Sequence, residues 1–361
     1  MLIANFAKNT LRKRFLIAEL RGLWYNLSDK KHGGAIMTEQ LKYNLSSKHE
    51  LRFNKDGKFK ILMMSDIQET LDVNPRTLPA MRKLLDKVQP DLVVLGGDNC
   101  NGKKLKTEPE LREYLKMIAE PMEERKIPWM HVFGNHDHDI EVEQIQQTKM
   151  YEEHAYCVSK HTEGIYGASN YVLPVYGSNS DEVAYAVWAL DTNRKICDTD
   201  LGVHEEMKLM NRPQPAERWD ILHFDQLMWY WNSSVELEKH AGKKVHAAMF
   251  MHIAPWEFQY IVDNPEVTGC QGSTKEIMLL GAHNSGIFAE ILQRGDVKVI
   301  GCGHSHDDSF QGEFLGITMA LDACAGYASY GTEELRGGRV FEIDEKDTTK
   351  VNTYMVHYID L

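Results

Sequence analysis

Five stretches of the chain alternate or run continuously apolar over four to six residues, and each is followed at once by polar, ligand-type side chains. The stretches are 60–64, 92–95, 129–133, 247–251 and 297–302, and their length and β-branched content predict strands. Between them the period changes. Leu78, Met81, Leu84, Leu85 and Val88 recur at helical spacing, so a helix is expected over 76–88, starting at Pro75 and stopping before Pro90. Further helices are expected over 110–125, 141–154 and 225–240. A β-rich middle covers 171–176 and 184–190 around the turn Gly177-Ser-Asn-Ser180. The last strands, near 317–321, 339–343 and 351–358, suggest a second sheet packed on the first. An edge strand is expected near Leu51-Arg-Phe53.

The polar blocks that end the five strands are Asp66-Ile-Gln68, Gly97-Asp98-Asn99, Gly134-Asn-His-Asp137, His252 and Gly303-His-Ser-His306. Strand ends on one edge of a sheet converge, so carboxylate, amide and imidazole groups far apart in sequence can line one pocket. That layout suits hydrolysis assisted by two metal ions. Alone, each block has a plainer explanation: Asp66 could cap the next segment, Asp98-Asn99 could be a turn, and His252 could be an interior histidine. Five such accidents on successive strand ends are a poor explanation of the set.

The blocks and their order resemble the calcineurin-like metallophosphoesterase superfamily, whose pattern runs D-x-H, G-D, G-N-H-D/E, a lone His and G-H-x-H. The stretches Asn284-Ser-Gly-Ile-Phe, Gly303-His-Ser-His-Asp-Asp and Gly326-Tyr-Ala-Ser-Tyr-Gly331 are similar to its purple-acid-phosphatase-like branch. Bacterial relatives with an Asp-Ile-Gln first block look alike too. The resemblance implies a four-layer αββα sandwich, two mixed β-sheets flanked by helices. It assigns one metal to Asp66, Gln68, Asp98 and His306, and a second to Asp98, Asn135, His252 and His304, with Asp98 bridging.

The implied cofactors are two divalent metal ions, Mn²⁺ or Fe/Zn, and the implied reaction is attack of a bridging hydroxide on a phosphomonoester or phosphodiester. Gln68 departs from the family's histidine. An amide oxygen is a harder donor than imidazole, which favours Mn²⁺ or Mg²⁺ at the first metal unless a water takes that position. Asn101 stands where the purple enzymes carry a tyrosine ligand, so no tyrosinate colour is expected. His136 is the expected catalytic group that is not a ligand, and Asp137 orients either the turn or an imidazole. The alternative from another class is a binding module or scaffold that kept the fold without turnover, favoured only by Gln68.

Charge and composition narrow this further. A net charge of −12 disfavours nonspecific nucleic-acid binding, which leaves a small phosphorylated molecule as the expected partner. The chain has no Walker loop, Gly-rich dinucleotide turn or G-x-S-x-G elbow, which argues against nucleotide motors, dehydrogenases and serine hydrolases. None of the six cysteines form a C-x-x-C pair, and no uninterrupted apolar run has membrane-spanning length, so a cytoplasmic protein is expected.

Residues 1–45 read as an N-terminal extension and 46–361 as one domain. The first 36 residues hold seven basic side chains against Glu19 and Asp29, so the rest of the chain carries −17 of the −12 total. A basic amphipathic helix at a membrane would fit. A misassigned start fits better, because Gly33-Gly34 can be encoded by a ribosome-binding sequence placed before Met37. Substrate contacts are expected from loops 101–107, 138–143, 255–281 and 327–336, where Lys275 or Arg336 could clamp a distal phosphate. Trp256, Phe258 and Tyr260 could stack on a ring or cover core.

Overall fold

The computed structural model describes residues 39–194, 219–276 and 278–361, all within the compact unit Met37–Leu361. The expectations for the first 36 residues and for the start at Met37 lie outside the described residues. Among the described residues, thirteen strands form two sheets. They are β1 (Leu51–Arg52), β2 (Lys58–Met64), β3 (Leu92–Gly96), β4 (Trp129–Val132), β5 (Tyr171–Tyr176), β6 (Val183–Ala189), β7 (His246–Phe250), β8 (Gln271–Thr274), β9 (Val297–Cys302), β10 (Asp308–Phe314), β11 (Ile317–Leu321), β12 (Gly337–Asp344) and β13 (Asp347–His357). One sheet has the order β13-β12-β2-β3-β4, the other β1-β5-β6-β7-β9-β11-β10-β8.

Side-chain alternation explains the layering. In β2, Phe59, Ile61 and Met63 face the other sheet while Leu62 and Met64 face helices, and β3 divides Leu92 and Val94 from Val93 and Leu95 in the same way. Both faces of these strands are therefore buried, as expected for parallel strands covered on each side. The inner layer joins the sheets through contacts such as Phe250 of β7 edge-on to Phe341 of β12, ring centres 5.3 Å apart. Burying a side chain of that size contributes about 1.5–3 kcal/mol. Helices Thr77–Val88, Glu108–Arg125 and Gln144–Glu152 cover the five-stranded sheet; Phe224–Ala241, Glu257–Asp263 and Ile287–Arg294 cover the larger one. The result is the four-layer sandwich.

Local signals set the helix ends. Thr107 accepts from the backbone N–H of Glu110, whose carboxylate accepts from the backbone N–H of Thr107 at 2.9 Å. Such a capping box is worth about 1 kcal/mol. Helix Thr77–Val88 ends at Gln89 in the left-handed conformation, one residue before Pro90.

Two expectations of arrangement need correction. The C-terminal strands do not make a second sheet of their own. β11 joins the larger sheet parallel to β9, whereas β12 and β13 return to the smaller sheet, β12 antiparallel to β2. The ligand-bearing strands also do not share one sheet edge. β2, β3 and β4 belong to the smaller sheet, β7 and β9 to the larger, and their carboxyl ends meet across the sandwich.

Candidate metal centre

Parallel pairing carries the chain past Met64, Gly96 and Val132 at neighbouring positions, so Asp66, Asp98 and Asn135 emerge side by side. On the larger sheet Phe250 pairs with Gly301, and the backbone N–H of Gly303 donates to the carbonyl of His252, which brings His252, His304 and His306 together. The backbone N–H of His304 then donates to Asp66 Oδ2 at 2.9 Å, linking the two sheets at the site. Asp66, Gln68, Asp98 and His304 all adopt positive φ, between 43° and 77°. Four non-glycine residues in that region cost about 1–2 kcal/mol each, and such strain concentrates at functional sites. Gly134 must lack a side chain, because a Cβ there would overlap the backbone nitrogen and Oδ1 of Asp98.

Two groups of ligand atoms converge, Asp98 with His252 and His304, and Asp66 with Asp98 and His306; within each group the atoms lie within 4.8 Å of one another. Asp98 is common to both. Asn135 Oδ1 and His304 Nε2 are buried without a hydrogen-bond partner among the described residues, while Asp66 Oδ1 and His252 Nε2 meet only other ligand groups, His306 Nε2 lying 3.1 Å from Asp66 Oδ1 and His252 Nε2 3.4 Å from Asp98 Oδ2. Polar atoms buried with no partner, or with none outside one cluster, are rare in folded proteins, and this set fits a cation-binding site. The tautomers agree. His252 Nδ1 faces the carbonyl of Gly96 at 2.9 Å and His306 Nδ1 that of Tyr330 at 2.8 Å, so each donates there and leaves Nε2 for the site. The oxygen and imidazole donors fit a pair of divalent ions.

Electrostatics follow from burial and proximity. Burial opposes ionisation of Asp66 and Asp98, but the surrounding histidines together outweigh it, His252 and His306 for Asp66 and His252 with His136 and His304 for Asp98; each carboxyl lies below its ordinary range. His252 is pushed up to about 9 because Asp98 and Asp66 overcome the burial penalty. His304 goes down to about 3 through burial and the charge of His252.

The remaining expected residues are placed as follows. Gln68 donates through Nε2 to Asp98 Oδ2 at 2.7 Å, so it presents nitrogen rather than oxygen to the bridging carboxylate; an amide turned over would exchange the two. The backbone N–H of His136 donates to Asp98 Oδ1 at 2.7 Å, and its half-buried ring points Nδ1 at Asp139 Oδ2, also 2.7 Å away. Asp137 orients no imidazole. Its carboxylate accepts backbone N–H groups of Gly134, Asn99 and Cys100 at 2.8–3.2 Å, fastening the loop after β3 to the loop after β4. Burial and then Asp98 push it up to about 6.

Sequence reasoning missed Asp139, Tyr330 and Trp219. Tyr330 stacks on His306 with centres 4.1 Å apart, and Trp219 meets His304 edge-on at 4.5 Å. Asp139 and Tyr330 lie in two of the loops singled out; nothing in the sequence marked Trp219. Arg336 is not a phosphate clamp. It is buried, and it donates to Gly326, Ser329 and Gly331 carbonyls and to Cys324 Sγ, holding the loop that carries Tyr330. Lys275 lies near Thr332, exposed. Phe258 is core, and Trp256 donates to the carbonyl of Gly281.

Residues 59–308 match the calcineurin-like phosphoesterase family. The chain is 26% identical over 313 residues to probable inactive purple acid phosphatase 14 of Arabidopsis thaliana, covering 79% of this chain and 74% of that one. It is 26% identical over 285 residues to the phosphatase DCR2 of Saccharomyces cerevisiae, covering 72% and 46%. The fold superposes on the crystal structure of a dimetal phosphatase from Danio rerio with a TM-score of 0.51 and 12% identity, covering 83% and 99%. The chain belongs to the calcineurin-like phosphoesterase family.

Proposed function

We propose that this protein is a metal-dependent phosphoesterase, hydrolysing a phosphomonoester or phosphodiester of a small molecule. The observation that carries the reading is one carboxylate, Asp98, shared by two groups of buried ligand atoms. Asp66, Gln68, Asp98 and His306 would hold one ion, and Asp98, Asn135, His252 and His304 the other. When bound, a pair of Mn²⁺, Fe or Zn ions supplies Lewis-acid polarisation of a phosphoryl group and an acidified water.

The chain's own residues supply the rest. Asp98 would neutralise repulsion between two cations and, through Oδ1, fixes the backbone of His136. Asp139 accepts a hydrogen bond from Nδ1–H of His136; burial opposes protonation of the ring, but Asp139 and Asp98 raise its pKa, and the imidazolium can give its Nε2 proton to a departing oxygen. Asp137 holds the Asp98 and Asn135 loops in register. The thiols of Cys100, Cys157, Cys270, Cys302 and Cys324 are all free, which supports a reducing compartment such as the cytoplasm. No helix among the described residues is long and apolar enough to cross a membrane.

A scaffold without turnover is the second reading. It is favoured by the amide nitrogen of Gln68 on Asp98 and by the word "inactive" in the Arabidopsis relative's name. Hydrolysis of p-nitrophenyl phosphate beside bis-p-nitrophenyl phosphate, with Mn²⁺, EDTA and Asp98→Asn controls, separates the two. Metal-dependent turnover of either ester, lost in Asp98→Asn, is expected. Absence of turnover with Mn²⁺, Mg²⁺, Zn²⁺, Ni²⁺ and Fe²⁺ alike would favour the scaffold.

A further inference from the structure

Residues 326–332 pass beside His306, and their backbone is pinned. Buried Arg336 donates to the carbonyls of Gly326, Ser329 and Gly331, the last two at 2.9 and 3.2 Å. His306 Nδ1 donates to the carbonyl of Tyr330 at 2.8 Å, and the backbone N–H of Thr332 donates to Asp307 Oδ1. Four consecutive residues, 329–332, are therefore tied down.

The ring displayed by this backbone is not itself buried. Tyr330 is 55% exposed. Its inner face lies on the imidazole of His306 with centres 4.1 Å apart and planes 6° from parallel, and its hydroxyl interacts with Glu276. Those partners account for one face and one edge. A residue with one face covered and more than half of its surface open has its other face in solvent. The bond from His306 goes to backbone, which any residue supplies, so the ring has to be explained by what it touches: a metal ligand on one side and solvent on the other. Being parallel to the imidazole, the ring runs alongside the direction in which His306 Nε2 faces the site, where Nε2 lies 3.1 Å from Asp66 Oδ1.

We propose that the outer face of Tyr330 is a subsite for a flat ring in the organic half of the substrate, which makes phosphate esters with an aromatic ring close to the phosphoryl group the preferred class. The inference rests on the phosphoesterase reading: an ion held by Asp66, Asp98 and His306 would fix the phosphoryl group, and Tyr330 would take what is attached to its ester oxygen. A platform whose backbone is already fixed loses little freedom on binding, and stacking of a flat ring on an exposed aromatic is worth about tenfold or more in affinity.

The test compares kcat/KM for benzyl phosphate and ethyl phosphate in the Mn²⁺-loaded full chain. Both leaving groups are simple alcohols, and only one carries a ring. The unmodified protein should prefer benzyl phosphate, and Tyr330→Ala should lower that preference about tenfold, chiefly through KM. Tyr330→Phe, which keeps the ring, should retain it. The ratio cancels any general loss from a disturbed His306, since both esters need the ions. A preference unmoved by Tyr330→Ala overturns the proposal. If neither ester is hydrolysed, the phosphoesterase reading fails, and isothermal titration with phenylphosphonate and methylphosphonate, neither of which has an ester bond to cleave, decides the subsite. A preference for phenylphosphonate that disappears in Tyr330→Ala upholds it; equal affinities or no binding in the unmodified protein overturn it.

Discussion

Loading the metal-free protein with divalent ions should release about two protons near neutral pH. Without metal, Asp66 and Asp98 are ionised, His252 is raised to about 9, and His306 is raised well above an ordinary imidazole because Asp66 outweighs its burial. His304, lowered to about 3, is neutral. Two carboxylates are thus balanced by two imidazolium ions. The proton that must leave is on Nε2 in both, since each Nδ1 is committed to a backbone carbonyl.

Deprotonating His252 at pH 7, about two units below its pKa, costs roughly a hundredfold in apparent affinity. Both pKa values are raised, so affinity for the ion pair should rise with pH, about tenfold per proton per unit, until the pH passes about 9 for His252. Isothermal titration of EDTA-stripped protein with Mn²⁺, in two buffers of different protonation enthalpy, counts the protons. His252→Asn should lower the count by about one. Release of less than about half a proton from the unmodified protein at pH 7 would refute the charge balance drawn from these residues.

Other outcomes can be stated with equal definiteness. Asp98→Asn should reduce bound metal below one ion per chain by elemental analysis, because it weakens both ligand groups; two retained ions would show that Asp98 is not shared. Asp139→Asn and His136→Ala should slow alkyl phosphates by about 10²-fold or more but p-nitrophenyl phosphate much less, since a good leaving group needs little proton donation; equal losses on both would remove His136 as the acid. His131 is buried, and burial lowers it to about 3, so in the unfolded chain it takes up a proton that the fold refuses. Its contribution is present above about pH 6.5 and falls by about 1.4 kcal/mol per unit below it. The stability of the unmodified protein relative to His131→Phe, from urea unfolding, should fall by about 1.5–2 kcal/mol as the pH drops from 6.5 to 5; a constant difference would mean the folded protein accepts the proton.

The ligand blocks were legible because each hangs on the end of a strand whose apolar run is unmistakable, and the parallel register does the convergence. Which sheet each strand joins was not legible. Val93 and Val94 face opposite layers yet read alike, so double burial erases the alternation that would identify a face. The strand β10 was hidden by polar residues, since Ser309 and Gln311 lie against the buried guanidinium of Arg339. Arg336 read as a candidate phosphate clamp because sequence does not report desolvation, and here several carbonyls replace water around it. Asp139 resembled any turn carboxylate in a His-Asp-His-Asp run until its distance to His136 was known. The helix Glu39–Leu45 buries only Leu41 and Asn44, too little to leave a periodic signal.

The meeting of the two sheets at the ligands has a mechanical meaning. Asp66, Asp98 and Asn135 rise from one sheet and His252, His304 and His306 from the other, so ions held among them would clamp the layers like a rivet. Anything that binds only the folded form stabilises it, by about 4 kcal/mol at a thousandfold excess over Kd. A descendant that lost turnover would therefore still lose stability if it lost these ligands. An intact ligand set therefore bears on metal binding alone, and turnover has to be tested separately, at His136.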